Sequence, residues 1–156
     1  MKAIRVKDYG GAEQLELDEV SNPVPGSGDV LVRLRFSGVN FIDIYMRDGT
    51  YRRSATYAQK LPMIIGMEGA GVVESVGEGV NDFQVGDSVA YCIEPGSYAE
   101  CVKVPSWKLV RVPPGVPLDV ATALQLQGST AHYLSHTLFP LKSGHRCLIH
   151  AGAGGL

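Results

Sequence analysis

Single glycines punctuate this sequence. The 19 glycines in 156 residues exceed the ~7% of an average chain, and most fall between short runs in which apolar and polar residues alternate. A period of two places successive side chains on opposite faces of a strand, and glycine supplies the turns between strands. The clearest run is Asp29–Gly38, where Val30, Val32, Leu34 and Phe36 point one way and Arg33, Arg35 and Ser37 the other. Ile4 and Val6, then Leu15 and Leu17, repeat the pattern on either side of Gly10-Gly11. Further strands are expected at Ala70–Val76, Ser88–Cys92, Ser97–Val104 and Trp107–Val112. Their spacing of about 8 to 14 residues is that of a compact barrel or sandwich, not of βαβ units. An all-helical bundle is excluded.

Helical signal is local. Phe41, Ile44 and Tyr45 share one helix face after Asn40, a good N-cap with Asp43 three residues on. Beyond Pro113-Pro114-Gly115 the period changes, and Leu118–Leu126 and Ser129–Phe139 read as two short helices, the second stopped by Pro140. Arg146–His150 then reads as a short buried parallel strand leading into Ala151-Gly152-Ala153-Gly154-Gly155-Leu156. A strand entering a glycine-rich turn is how a dinucleotide-binding unit begins, because small residues let a phosphate approach the backbone. A plain Gly/Ala tail reads equally well from these residues alone.

Composition narrows the function. Fourteen basic against sixteen acidic side chains give a net charge of −2, with no basic stripe to meet a nucleic-acid backbone. No apolar stretch reaches the ~18–20 residues of a spanning helix, and Met1–Gly10 lacks the apolar core of a secretory signal, so no membrane partner and a cytoplasmic location are expected. Cys92, Cys101 and Cys147 are odd in number and form no C-x-x-C pair, which points to buried reduced thiols, without disulfide or zinc knuckle. His132 and His136 share a helix face, and surface positions account for them more simply than a metal pair does.

Several strings in one order resemble the medium-chain dehydrogenase/reductase superfamily, and within it the zinc-independent, zeta-crystallin-like NADPH:quinone oxidoreductases. They are Gly10-Gly11-Ala12-Glu13, Gly38-Val39-Asn40-Phe41-Ile42-Asp43-Ile44-Tyr45 with Gly49-Thr50-Tyr51 after it, Pro62-Met63-Ile64-Ile65-Gly66-Met67-Glu68-Gly69-Ala70-Gly71, Val85-Gly86-Asp87-Ser88-Val89, Gly96-Ser97-Tyr98-Ala99-Glu100, Gln127-Gly128-Ser129-Thr130-Ala131-His132-Tyr133 and His150-Ala151-Gly152-Ala153-Gly154-Gly155. The resemblance implies a mainly β chain: a GroES-like barrel over residues 1–115, linking helices over 116–141, and the first strand and glycine turn of a truncated Rossmann domain over 142–156. It also implies that the chain is the N-terminal part of a longer enzyme, inactive by itself. The other reading is a stand-alone, non-enzymatic GroES-like binding module.

The same resemblance bears on metal and cofactor. Zinc alcohol dehydrogenases of this superfamily carry a cysteine where this chain has Asn40 and a histidine where it has Met67. Amide and thioether are poor zinc donors, so no metal is expected. The implied reaction is metal-free hydride transfer from NADPH to a quinone or enone. Asn40, Phe41, Asp43 and Tyr45 would lie beside the nicotinamide and its ribose, Thr130 would meet the cofactor from the linking helix, and Ala153-Gly154-Gly155 would contact the pyrophosphate. Tyr45 and Tyr51 would line the quinone pocket, stacking on the ring or donating to the developing oxyanion. The residues themselves also read structurally: Asn40 and Asp43 as a helix cap, Tyr45 as a core aromatic, Thr130 as a helix residue and Asp87 as a turn residue. The family usually dimerises through its Rossmann domain, which assigns any homodimer to the full-length protein.

Overall fold

Two antiparallel sheets carry the chain in the computed structural model, which describes residues 1–152. The smaller has the order β2-β1-β4, from β1 (Lys2–Val6), β2 (Leu15–Glu19) and β4 (Met63–Ile64). The larger has the order β7-β3-β5-β6-β8, from β3 (Asp29–Ser37), β5 (Glu68–Val76), β6 (Ser88–Cys92), β7 (Cys101–Pro105) and β8 (Leu109–Arg111). An isolated bridge between Ala3 and Ala99 joins the two, and register shifts at Leu31/Val32 and Leu34/Phe36 bend β3 along β5. The fold is mainly β, and the chain curls as a GroES-like barrel does.

Alternation decides which side chains fill the interior. Val30, Val32, Val73, Val89, Tyr91, Val102, Val104 and Leu109 form one buried cluster. Phe36 departs from the period-two expectation: it is exposed, because the second register shift of β3 falls just before it. A second cluster, Val6, Met46, Met63, Ile65 and Met67, lies under helix α1 (Phe41–Arg47). The third is shallow. Ala70 and Ala90 face each other across β5 and β6, and helix α2 (Leu118–Ala123) rests Ala121 on them.

Further details differ from the sequence expectations. The strand expected over Ser97–Val104 pairs only from Cys101, because β3 offers it a partner only as far as Arg33, and the strand expected from Trp107 begins at Leu109, after a single helical turn. The expected helices Leu118–Leu126 and Ser129–Phe139 are one continuous run: α2 passes through a π-helical stretch, Leu124–Gly128, into α3 (Ser129–His132) and a second π stretch, Tyr133–Leu138. Gly128 does not interrupt it, since its φ of −65° and ψ of −43° are helical. Arg146–His150 pairs with no strand among the described residues and is exposed throughout; an apolar run with no neighbouring strand has no ladder to join. Of the three thiols only Cys101 is buried, Cys92 is half-buried and Cys147 exposed, and none is paired.

Gly71 shows how closely the strands approach. It pairs with Leu34 on one side and Val89 on the other, and a Cβ there would collide with the backbone carbonyl of Arg33. Backbone cannot move aside as a flexible side chain does. Gly71→Ala is therefore expected to lower stability by about 2–3 kcal/mol, read by urea unfolding; a change within ~0.5 kcal/mol, as at ordinary surface sites, would contradict this account of the sheet.

Candidate active site

The end of β3 and the start of α1 bring the polar residues together. Asn40 sits at the helix N-cap in an extended conformation, with φ −130° and ψ 155°. Its backbone N–H donates to Asp43 Oδ2 at 2.9 Å, and the Asp43 N–H donates to the Asn40 carbonyl at 3.0 Å, closing the first turn. Asp43 is buried, and the same Oδ2 also accepts from the Tyr98 hydroxyl at 3.0 Å. Burial pushes the Asp43 carboxyl above its usual range, opposed by the donors from Asn40 and Tyr98. Burial, then the Asp43 charge, pushes the Tyr98 phenol up in turn. Asp43 is thus committed to the interior.

Asn40 has a second, deeper partner. Its side-chain Nδ2 donates to Glu68 Oε1 at 2.9 Å, and Glu68, at the first position of β5, is only 1% exposed. The other carboxylate oxygen, Oε2, accepts the backbone N–H of Leu126 at 2.9 Å. That N–H comes from the π stretch, where the Ser129 N–H reaches back five residues to the Leu124 carbonyl. A π register displaces the normal i→i−4 ladder, and the Leu126 N–H turns to Glu68. Thr130 Oγ1 bonds the Leu126 carbonyl at 2.7 Å, so one residue of the linking run touches both Glu68 and Thr130. A pocket of about 290 Å³ lies alongside, lined by Gly38, Val39, Glu68, Thr122 and Gln127 among others.

The aromatic residues form a row. Phe41 and Tyr45 have ring centroids 6.5 Å apart, Tyr45 and Tyr51 meet edge-on at 5.6 Å, and Tyr51 and Tyr57 are 5.4 Å apart. These separations are those of attractive aromatic contacts. Phe41 and Tyr45 are exposed, while Tyr51 and Tyr57 pack on the Met46–Met67 cluster. The floor is tightened by Ile93, a β-branched residue in the left-handed region at φ 58°, held by its N–H to the Met67 carbonyl and by Lys108 Nζ on its own carbonyl, both at 2.7 Å. Conformations of this kind persist only where the surroundings over-determine them. Among the described residues, no three His, Cys, Asp or Glu side chains are grouped as a metal would require. His132 and His136 stack at 4.3 Å on the exposed helix, away from this cluster.

The alcohol dehydrogenase GroES-like domain family matches residues 26–114, the barrel that carries Asn40, Glu68 and the aromatic row. The chain belongs to this family. It is 43% identical over 156 residues to a quinone oxidoreductase of Pseudomonas aeruginosa, covering 99% of this chain and 46% of that protein. It is 41% identical over 150 residues to a 2-haloacrylate reductase of a Burkholderia species, covering 94% and 44%. A mycobacterial protein solved in complex with NADPH superposes with a TM-score of 0.90 at 41% identity, over 99% of this chain and 47% of that one. The chain thus spans less than half the length of these relatives, and the resemblance to quinone oxidoreductases holds along all of it.

Among the residues expected at the site, the GroES-like barrel groups Asn40, Phe41, Asp43, Tyr45 and Tyr51 around α1, and Thr130 joins them through Leu126. Ala153, Gly154 and Gly155 lie outside the described residues. Sequence reading missed Glu68, Tyr98, Tyr57 and Leu126 as members. One signal was there for Glu68: it is the lone acid between Pro62 and Val73, and a charged residue within a buried run must have partners.

Asp43 offers a direct test. Because its carboxyl is raised in the fold from an ordinary 3.8, the native state holds this proton more tightly than the unfolded chain. Between the ordinary value and the raised one, the group therefore adds stability as pH falls and loses it as pH rises through the folded value. Asp43→Asn cannot titrate, so wild type should gain on the variant as pH is lowered into that window. Urea unfolding at stepped pH reads the difference, and a flat or opposite trend would show that the carboxyl is not held this way.

Proposed function

We propose that this chain is the substrate-side portion of an NADPH-dependent quinone oxidoreductase that reduces a quinone or a similar conjugated carbonyl without a metal. In this reading residues 1–115 are the barrel, 116–141 the linking helices and 142–156 the opening of a Rossmann domain. The observation that carries it is the aromatic row running from Phe41 to Tyr57 beside a polar centre at Asn40. A flat conjugated acceptor is held by aromatic faces and needs a donor only where charge develops on its oxygen. The Burkholderia relative, named for a haloacrylate, fits the wider class of conjugated acceptors.

The residues present suit a nicotinamide cofactor. Asn40 Oδ1 is buried and has no hydrogen-bond partner, and an unpaired buried acceptor costs about 1–3 kcal/mol. A carboxamide N–H or a ribose hydroxyl would satisfy it. When bound, NADPH supplies the hydride. Asn40 would orient its ring, Phe41 would cover one flank, and the Tyr45 and Tyr51 hydroxyls would donate to the acceptor oxygen as negative charge builds there. Proximity of the two rings is the main requirement. The reaction is read as metal-free from the donor set: the Asn40 amide is engaged by Glu68, and the Met67 thioether is buried in an apolar cluster.

Two measurements test this. Titration of the isotope-labelled chain with a naphthoquinone should shift the amide signals of Tyr45, Tyr51 and Tyr57. Tyr45→Ala or Tyr51→Ala should weaken the binding about tenfold, equivalent to ~1.4 kcal/mol; shifts elsewhere with affinity unchanged would overturn the assignment. The adenosine half of a dinucleotide is normally held by a complete Rossmann unit. The 156-residue polypeptide alone is therefore expected to bind NADPH more weakly than micromolar and to show negligible reductase turnover. Calorimetry giving micromolar or tighter binding would contradict that division of labour.

A further inference from the structure

We propose that Glu68 is a positioning residue that fixes the polarity of Asn40, so that Asn40 presents an acceptor, and only an acceptor, to its ligand. The inference rests on the cofactor reading of Asn40 and adds the chemistry that the reading leaves open. An asparagine amide has two ends of similar shape and opposite character, and its neighbours decide which end faces where. Here both Glu68 oxygens accept N–H groups, one from Asn40 Nδ2 and one from the Leu126 backbone, each at 2.9 Å. An acceptor on that side obliges Asn40 to offer its NH₂ inward. Oδ1 is then turned toward the Asp43 N–H in the capping box of α1, where it completes no hydrogen bond.

The arrangement is rigidly framed. Glu68 cannot retreat without leaving two donors unpaired. Gly38 leaves the space that the carboxylate fills, since a Cβ there would collide with Glu68 Oε1. The Leu126 N–H belongs to backbone and cannot turn over. Of the three groups, only the Asn40 amide is free to reverse; Glu68 opposes this through a full hydrogen bond to Nδ2, and the Asp43 N–H that Oδ1 faces in the capping box opposes it more weakly. The matching ligand group must therefore carry N–H or O–H, as a carboxamide or a sugar hydroxyl does; a carboxylate, phosphate or ketone oxygen would face oxygen against oxygen.

Glu68→Gln separates this role from simple support. The substituted amide can keep its carbonyl on the Leu126 N–H, and its own NH₂ then faces Asn40, which must turn over to accept. The helix stays tied while the ligand-facing atom changes from acceptor to donor. Hydrogen exchange and side-chain amide NMR on the full chain read both ends without ligand. Expected in Glu68→Gln are Leu126 exchange within about threefold of wild type and Asn40 Nδ2 protons exchanging at least tenfold faster. Expected in Glu68→Ala are both faster by tenfold, with Val30, Val73 and Val89 still protected. NADPH added to wild type at millimolar concentration should shift the Asn40 side-chain signals, and in Glu68→Gln it should not. Unchanged Asn40 protection in Glu68→Gln overturns the proposal, as does an NADPH response equal to wild type. If Glu68→Ala does not fold, Glu68→Gln carries the test alone. A wild-type chain whose Asn40 signals ignore NADPH overturns the cofactor reading instead, while the exchange data still decide whether Glu68 sets the amide.

Discussion

A carboxylate with almost no solvent contact is the constraint around which this site is arranged. Removing such a group from water is costly unless each oxygen finds a donor, and Glu68 finds its two on different elements, the Asn40 side chain and the Leu126 backbone. Each donor needs local help. Asn40 reaches inward because Asp43 holds its N–H at the helix start. Leu126 has a spare N–H because the helix runs through a π turn there. Gly38 provides the volume by having no side chain, a packing requirement unrelated to its backbone conformation.

From that anchor the rest of the site takes its place. With Asn40 fixed, α1 leaves in one direction and sets Phe41 and Tyr45 along one edge, where Tyr45 meets Tyr51 and Tyr51 meets Tyr57. The methionine floor of Met46, Met63 and Met67 supports Tyr51 and Tyr57 with long, unbranched side chains that adapt to irregular surfaces. The buried polar groups Asn40, Asp43 and Glu68 lie at the Phe41 end of the row, and the tyrosines carry their hydroxyls along the rest of it, an arrangement that arises from where α1 and β5 begin.

Much of this was legible in the residues. Period-two runs bounded by glycine locate β3, β5 and β6 to within two residues, and Asn40 with Asp43 marks the start of α1. The aromatic members follow from their spacing on or near that helix, and a family resemblance adds Thr130. What could not be read depends on partners far apart in sequence. Tyr98 lies 55 residues from the carboxylate it donates to, and Leu126 lies 58 from Glu68. Nothing local announces either bond. The continuous helix was hidden for a different reason: Gln127-Gly128 looks like a break, and only the π register, which depends on the outward bond of Leu126, carries the chain through it. Arg146–His150 has the composition of a buried strand, yet strand formation requires a neighbour, which composition does not contain.

Burial along the linking run gives Glu68 a mechanical role as well. Among the described residues Thr122 is the last buried one, and beyond it Leu124, Tyr133, Leu134 and Leu138 lie exposed on the helix, as does Phe139 just past its end. The fully buried apolar packing of the run on the barrel therefore ends at the shallow bed formed by Ala70 and Ala90, and residues 125–128 beyond it are half-buried. The next attachment is polar, the single bond from the Leu126 N–H to Glu68. Hydrophobic contact is tolerant of small slides, whereas a hydrogen bond is sensitive to both distance and angle. A shift of the helix at Leu126 would be absorbed by α2 with little cost, but it would alter the carboxylate that also holds Asn40. The position of the linking helix and the orientation of the amide are thus coupled through one side chain.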